Sequence, residues 1–427
     1  MNSPLRTFFL ALTLTGVLRG APSAVEPLLP QEVYVWQRVW TPPVKIALRQ
    51  HGEVFSNVVA LAAEVSWQQG RPQIVRVPLD FELLRSLKTP VGLALRVGSY
   101  PGPFAPDDQA ARRLTALATE LISQAATNYL PLSELQLDFD CAESKLAGYR
   151  VWIEALRLRV APVPLTLTAL PAWLKRTEFT PLVKAADGFV LQVHSVERPR
   201  SLDAPFTLCD PAAARLAVAK AAQAGVPFRV ALPTYGYVLA FAPEGKFVGL
   251  SAEGPAKNWP EKVKLREVRA EAPALAELVQ GWATNRPPNL RGVIWYRLPI
   301  EGDTLNWRWP TLGAILALRS PRESLRAATR RVEAELIEVS LANTGELDLS
   351  SRLAVEARWR GARLVAGDAL RGFELVEVNA SAAQFQTPAL PCRLSPGEVR
   401  VIGWLRLNQD VEVQTEIHRN ERSGDGG

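Results

Sequence analysis

Eight strand-like runs follow one another along the chain, each with room for a helix behind it: Val33 to Val39, Val58 to Ser66, Val91 to Gly98, Leu135 to Asp140, Leu165 to Leu170, Phe189 to Val193, Phe228 to Leu232 and Gly292 to Leu298. Apolar strands that alternate with helical segments build parallel βα units, and eight in order close a (β/α)8 TIM barrel. The segments between them carry helix punctuation. Asp210-Pro211 sets an N-cap and a first helical residue, and Gly225 closes that helix. Leu114, Leu117, Leu121 and Ala125 lay an apolar stripe on one helix, and Leu146, Tyr149, Ile153, Leu156 and Val160 do so on the next. A doubly wound open sheet, the competing architecture, normally opens with a glycine-rich first turn, which is missing here.

With 427 residues the chain is longer than one barrel needs. The barrel is expected over residues 25–320. Beyond it, period-two runs at Glu335 to Ala342, Leu353 to Trp359, Phe373 to Val378 and Val399 to Leu407, with turn signals at Asn343-Thr344-Gly345 and Ser395-Pro396-Gly397, predict a small C-terminal β-sandwich over 332–418. Arg319, Arg322, Arg326, Arg330 and Arg331 read as the solvated side of a connecting helix over 321–331. The polar, glycine-rich tail 419–427 is expected to be disordered. Residues 1–24 run from Arg6 through the apolar stretch Thr7 to Leu18 and then small residues to Ala24. That order is a signal peptide, too short to span a bilayer. The mature chain is therefore expected to be exported, periplasmic or extracellular, with no membrane span after signal removal.

Composition narrows the chemistry. Lys and Arg number 49 against 43 Asp and Glu, and the excess of +6 is spread thinly, without the aromatic-interleaved basic face of a nucleic-acid binder. Three scattered histidines and three scattered cysteines give no CxxC and no HExxH, so no metal site is expected. Neither a GxGxxG after a strand nor GxxxxGK[ST] nor GxSxG occurs, which removes the usual nucleotide and serine-hydrolase motifs. No cofactor is expected. Carboxylates and 12 tryptophans remain.

In a barrel of this kind the chemistry sits at the carboxyl ends of the strands. Strand four ends Leu135-Gln136-Leu137-Asp138-Phe139-Asp140, and residues two apart share a side, so Gln136, Asp138 and Asp140 project into the barrel mouth. Two carboxylates about 6 to 7 Å apart along a strand cannot both ionise freely in a partly dry cleft, which leaves one raised acid beside an ionised partner. Glycosidic bond cleavage uses such a pair. The bland alternative is an acidic pair satisfied by arginines such as Arg96 or Arg297. Other strand ends supply Trp36, Glu64, Arg96, Gln192, His194, Tyr235, Trp295 and Arg297, the rings as a floor for a sugar and the polar groups as its partners. Each tryptophan taken alone reads equally as core. Trp307 and Trp309 either wall the cleft or cover the barrel top.

The segments Val35-Trp36-Gln37-Arg38-Val39-Trp40, Leu137-Asp138-Phe139-Asp140-Cys141, Thr168-Ala169-Leu170-Pro171-Ala172-Trp173, Leu191-Gln192-Val193-His194-Ser195 and Val230-Ala231-Leu232-Pro233-Thr234-Tyr235-Gly236 resemble the domain-of-unknown-function 3142 family of exported bacterial proteins. This implies a fold and an export route, and no activity comes with it. A more distant similarity runs to the chitinase-like glycosidases. It places Asp140 where they have a catalytic glutamate, Gln136 where they have an aspartate, and Trp295 near their strand-eight tryptophan.

The reading is a glycosidase-like barrel acting on a polysaccharide, with Asp140 as proton donor, Asp138 as its charge partner and Glu64 as a second carboxylate. Trp36, Arg96, Gln136, Gln192, His194, Tyr235, Trp295 and Arg297 are the binding groups. The expected partner is a carbohydrate or cell-envelope polymer. The rival is a non-catalytic envelope protein that binds glycan or a partner protein through the cleft or the sandwich. Catalysis needs a second carboxylate across the cleft from Asp140, for which Glu64, Glu301 and Asp303 are the candidates. Cys141 and Cys209 share one barrel face and an oxidising compartment, so a disulfide between them competes with two separate thiols.

Overall fold

The computed structural model describes residues 28–252, 259–388 and 392–419. The expected signal peptide lies outside them, as does the tail beyond residue 419. In chain order the first strands are β1 (Gln31–Val35), β2 (Val58–Gln68), β3 (Arg71–Arg76), β4 (Val91–Val97), β5 (Leu132–Phe139), β6 (Leu165–Ala169), β7 (Gly188–Gln192), β8 (Phe228–Pro233), β9 (Gly236–Phe241), β10 (Phe247–Ser251), β11 (Lys264–Arg269) and β12 (Leu290–Tyr296). β1, β2, β4, β5, β6, β7, β8 and β12 run parallel, and β1 pairs with both β2 and β12, so the eight close on themselves. This is the expected TIM barrel. β3 extends β2 as an antiparallel hairpin, and β9 to β11 form a small separate sheet inserted after β8.

The helices are α1 (Pro42–His51), α2 (Phe81–Ser86), α3 (Gln109–Thr127), α4 (Leu146–Val160), α5 (Phe179–Lys184), α6 (Pro211–Ala222), α7 (Ala272–Thr284) and α8 (Trp309–Leu316). Their starts follow from local chemistry. The carboxylates of Asp80, Asp108 and Asp210 accept the N–H groups of Leu83, Ala111 and Ala212 that α2, α3 and α6 leave unbonded. Proline, which has no N–H to lose, opens α1, α6, α7 and α8. Leu114, Leu117, Leu121 and Ala125 are buried on α3, as their spacing requires. None of these helices is long and apolar enough to cross a membrane.

The barrel interior has a charged floor. Arg229 is bonded to Glu134 through both terminal nitrogens, at 2.6 and 2.5 Å, and also to Glu32. Asn57 donates to both carboxylates, at 3.2 and 3.0 Å. A buried ion triad survives only with its hydrogen bonds satisfied in this way.

The C-terminal strands are β13 (Leu325–Glu333), β14 (Leu336–Asn343), β15 (Leu349–Ser351), β16 (Leu353–Trp359), β17 (Leu364–Ala369), β18 (Glu374–Asn379), β19 (Ala382–Gln386), β20 (Cys392–Leu394), β21 (Val399–Leu407) and β22 (Val413–Arg419). Two four-stranded antiparallel sheets, β13-β14-β21-β17 and β18-β19-β16-β22, enclose a core that includes Val339, Leu341, Val355, Trp359, Phe385 and Leu405. The expected sandwich is present. The connecting helix over 321–331 is not: β13 occupies most of that stretch and pairs antiparallel with β14 from Leu325–Asn343 to Arg331–Ile337. Its arginines find carboxylates: Arg330 pairs with Glu338 at 2.5 Å and Arg331 with Asp410. A ladder partner outweighs the helical propensity of Arg and Ala. Sandwich and barrel are tied by Arg269 to Asp348 at 2.7 Å, Arg393 to Glu267 at 2.7 Å and Arg319 to Glu346 at 2.5 Å.

Candidate functional site

A cavity of about 520 Å³ opens at the carboxyl ends of the barrel strands. Strand parity explains its lining. Tyr34 on β1 and Trp36 just past it, Arg96 on β4, Asp138 on β5 and Asp140 just past it, Thr168 on β6, Gln192 on β7 and His194 in the loop after it, Ala231 on β8 and Tyr296 on β12 all face inward. Arg38, Ser195, Tyr235, Tyr237 and the β10 end, Leu250 to Ala252, complete the wall.

Asp138 is nearly enclosed. Thr168 donates to its Oδ1 at 2.7 Å, and Arg96 Nε stands 3.9 Å from its Oδ2. Burial first, and the charge of Asp140 next, push its carboxyl up to about 6 against the pull of Arg96 and the Thr168 hydroxyl. Asp140 is exposed at the cavity mouth. The raised acid of this pair is therefore the inner one.

The opposite wall is built of hydroxyls and rings. Ser195 Oγ lies 2.7 Å from the Tyr235 hydroxyl and 2.6 Å from that of Tyr237, and the two phenols are 3.0 Å apart. His194 Nδ1 is 3.2 Å from the Tyr235 oxygen, while Nε2 is buried without a partner. Burial holds the His194 imidazole down near 3, so it is neutral at physiological pH. Trp36 meets Tyr34 edge-on at 5.2 Å and Tyr296 at 5.3 Å, and Tyr296 stacks on His194 at 5.4 Å. Gln192 Nε2 donates to the His194 carbonyl at 3.3 Å.

The structure thus brings together Asp138, Asp140, Trp36, Arg96, Gln192, His194 and Tyr235. It places the remaining candidates elsewhere. Glu64 sits behind Arg38, which holds it through two bonds of 2.8 and 3.1 Å. Gln136 shares the side of Asp138 but lies one layer deeper, between Tyr34 and Glu134. Trp295 points out toward the helices, fully buried, with Nε1 donating to Gln31 at 3.1 Å and its ring against Trp307. Arg297 is buried against Asp303. Trp309 stacks on His51 at 3.6 Å, outside the cavity. Glu301 is exposed and also outside the lining. Among the described residues, no carboxylate other than Asp138 and Asp140 lines the cavity.

Cys141 and Cys209 are separate buried thiols, not a bridge, and burial pushes each up to about 12. Their apolar surroundings leave both as small core side chains. Glu356, Glu416 and His418 approach one another on the sandwich, but Arg358 pairs with both carboxylates and already supplies the cation. Tyr34, Arg38, Thr168, Ser195, Tyr237 and Tyr296 are lining residues that sequence reasoning missed. Inward parity carried from Trp36 and from Asp138 picks out Tyr34 and Thr168; Tyr237 sits on β9, which has no counterpart in the eight-strand pattern.

Fold and site together define a (β/α)8 barrel with an acid pair and an aromatic wall at the carboxyl ends of its strands. Residues 102–301, from the loop after β4 past the end of β12, match the model of the family described as Domain of unknown function (DUF3142), which bears out the resemblance read from the sequence segments there. No curated protein matches the chain. Similar solved structures include the spore cortex-lytic enzyme SleL of Bacillus megaterium QM B1551, with 12% identity over 70% of this chain and 76% of that one at a TM-score of 0.49. A chitinase of Chromobacterium violaceum ATCC 12472 has 14% identity over 68% and 98%, at 0.46. A chitinase of Rhizomucor miehei has 17% identity over 68% and 100%, at 0.45. Similarity at this level carries no chemistry across.

Proposed function

We propose that the protein is an exported, glycosidase-like barrel that hydrolyses a polysaccharide of the cell envelope or its surroundings by carboxylate acid–base chemistry. The observation that carries this reading is the acid pair at the end of β5, its inner member pushed up to about 6, facing a wall of aromatic rings. Glycosidic cleavage needs a proton for the leaving oxygen and negative charge near the developing oxocarbenium ion. Asp140, at the mouth, delivers the proton; Asp138 beneath it is its charge partner, its own carboxyl raised by burial and by the charge of Asp140. Trp36 and Tyr296 offer faces to a sugar ring, while Arg96, Gln192, His194 and Tyr235 meet its polar groups. With Glu64 held by Arg38, the attacking group is water or a group of the substrate itself.

A second reading, glycan or partner-protein binding without hydrolysis, is favoured by the same absence of a lining carboxylate across from Asp140 among the described residues. A glycan array paired with a hydrolysis screen of wild type and Asp140→Asn separates the two. Sugar release by wild type and its loss in the variant supports the enzyme; unchanged binding in both with no release supports the binder. Export rests on the order of charges and apolar residues in 1–24.

A further inference from the structure

We infer that the deep wall of the cavity ends in hydrogen-bond acceptors, a buried His194 Nε2 without a partner and a Tyr34 oxygen whose proton is turned away, so that a group reaching them must bring an O–H or N–H donor. The inference deepens the proposed function by naming the ligand chemistry, and it rests on that reading only for the ligand being a sugar.

The state of Tyr34 follows from the barrel floor upward. Glu134 is held ionised: burial opposes this, but Arg229 and the hydrogen bonds around it outweigh burial and lower its carboxyl. A carboxylate only accepts, so the Gln136 amide turns Nε2 to Glu134 Oε1 at 3.0 Å and its own Oε1 to Tyr34. An amide oxygen also only accepts. The Tyr34 hydroxyl must therefore donate across that 2.6 Å contact, and toward the cavity it has lone pairs alone.

The state of His194 follows from counting protons. The contacts Ser195–Tyr235, Ser195–Tyr237, Tyr235–Tyr237 and Tyr235–His194 Nδ1 all lie within hydrogen-bond distance, at 2.7, 2.6, 3.0 and 3.2 Å. Four hydrogen bonds need four protons, and three hydroxyls bring three. The fourth is an N–H on Nδ1. A neutral imidazole carries one proton, so Nε2 has none. Were the Tyr235 hydroxyl to donate to Nδ1 instead, the two remaining protons would fill only two of the three contacts among the hydroxyls and leave one pair of oxygens facing with no proton between them. Burial keeps the ring neutral, which holds the count. Sugar hydroxyls and an acetamido N–H suit such a wall; a carboxylate or sulfate, which brings no proton, does not.

The test uses the full chain, labelled with 15N at histidine, and a long-range 1H–15N correlation spectrum at neutral pH, with His51→Gln and His418→Gln assigning His194 by elimination. The expected result is a His194 pattern with Nδ1 in the protonated and Nε2 in the unprotonated nitrogen range; an Nε2–H tautomer overturns the inference. Failure of the glycan screen leaves these spectra standing, so failure of the functional reading and failure of this inference are told apart.

Discussion

Asp138 and His194 make opposite demands on the folded state. Asp138 has its carboxyl raised from 3.8 to about 6, so the native chain holds this proton more tightly than the unfolded chain does. The group therefore costs stability above pH 6, and the cost fades as pH falls through the window to 3.8. At about 1.4 kcal/mol per unit the penalty at pH 7 is at most about 3 kcal/mol. Asp138→Asn, which keeps the shape, should therefore raise the urea midpoint at pH 7 and lose that advantage near pH 4, while hydrolysis falls. Equal gains at both pH values would show that the charge is not what costs. His194 is lowered from 6.5 to about 3, so the unfolded chain takes its proton first and stability drains away as pH falls from 6.5. His194→Gln should flatten that acid limb in the same titration.

Within β12, alternation separates two neighbouring rings with different duties. Trp295 is fully buried toward the helices, and Tyr296 lines the cavity. Trp295→Ala removes a large core side chain and should cost about 3–5 kcal/mol, read as a lowered denaturation midpoint. Tyr296→Ala should cost less stability but weaken glycan binding or turnover. The reverse ranking would mean that the strand's faces are misassigned. In β21, Gly403 leaves no room for a side chain, because a Cβ there would stand 2.1 Å from the Phe385 ring and 2.5 Å from the Asp368 carbonyl. Gly403→Ala should therefore destabilise the sandwich by 1 kcal/mol or more, roughly, through overpacking, measured by thermal unfolding.

The whole molecule divides at a different residue from the one its arginines mark. A break at 331 strands β13 on the barrel side, although its ladder partner β14 belongs to the sandwich. We expect a 320–419 fragment to unfold cooperatively and a 332–419 fragment to expose the β14 edge and aggregate; circular dichroism and light scattering of the two fragments check this. The ion pairs joining barrel and sandwich are partly exposed, so each contributes little by itself. At the same scale, intact mass of the secreted protein should show loss of the segment up to about Ala24, and full-length cytoplasmic protein would refute export.

Local pattern carried what depends on neighbours along the chain. Apolar runs and caps placed the eight barrel strands and four of the sandwich strands, because burial on both faces of a barrel strand, or on one face of a sandwich strand, writes its period directly into the residues. The same alternation aimed Asp138 and Asp140 together. Whatever depends on depth or on a partner distant in sequence was decided by tertiary structure alone. Gln136 and Asp138 share a side, but only the closed barrel sets one on the charged floor and the other in the cavity. Glu64 is a carboxylate like the others until Arg38 folds onto it. Trp295 and Tyr296 differ by one residue, and strand pairing alone says which faces inward. The β13 stretch reads as a helix until β14 supplies hydrogen bonds that no residue within it can provide. Periodicity is local and survives in sequence, whereas register, depth and the pairing of charges are properties of the closed chain.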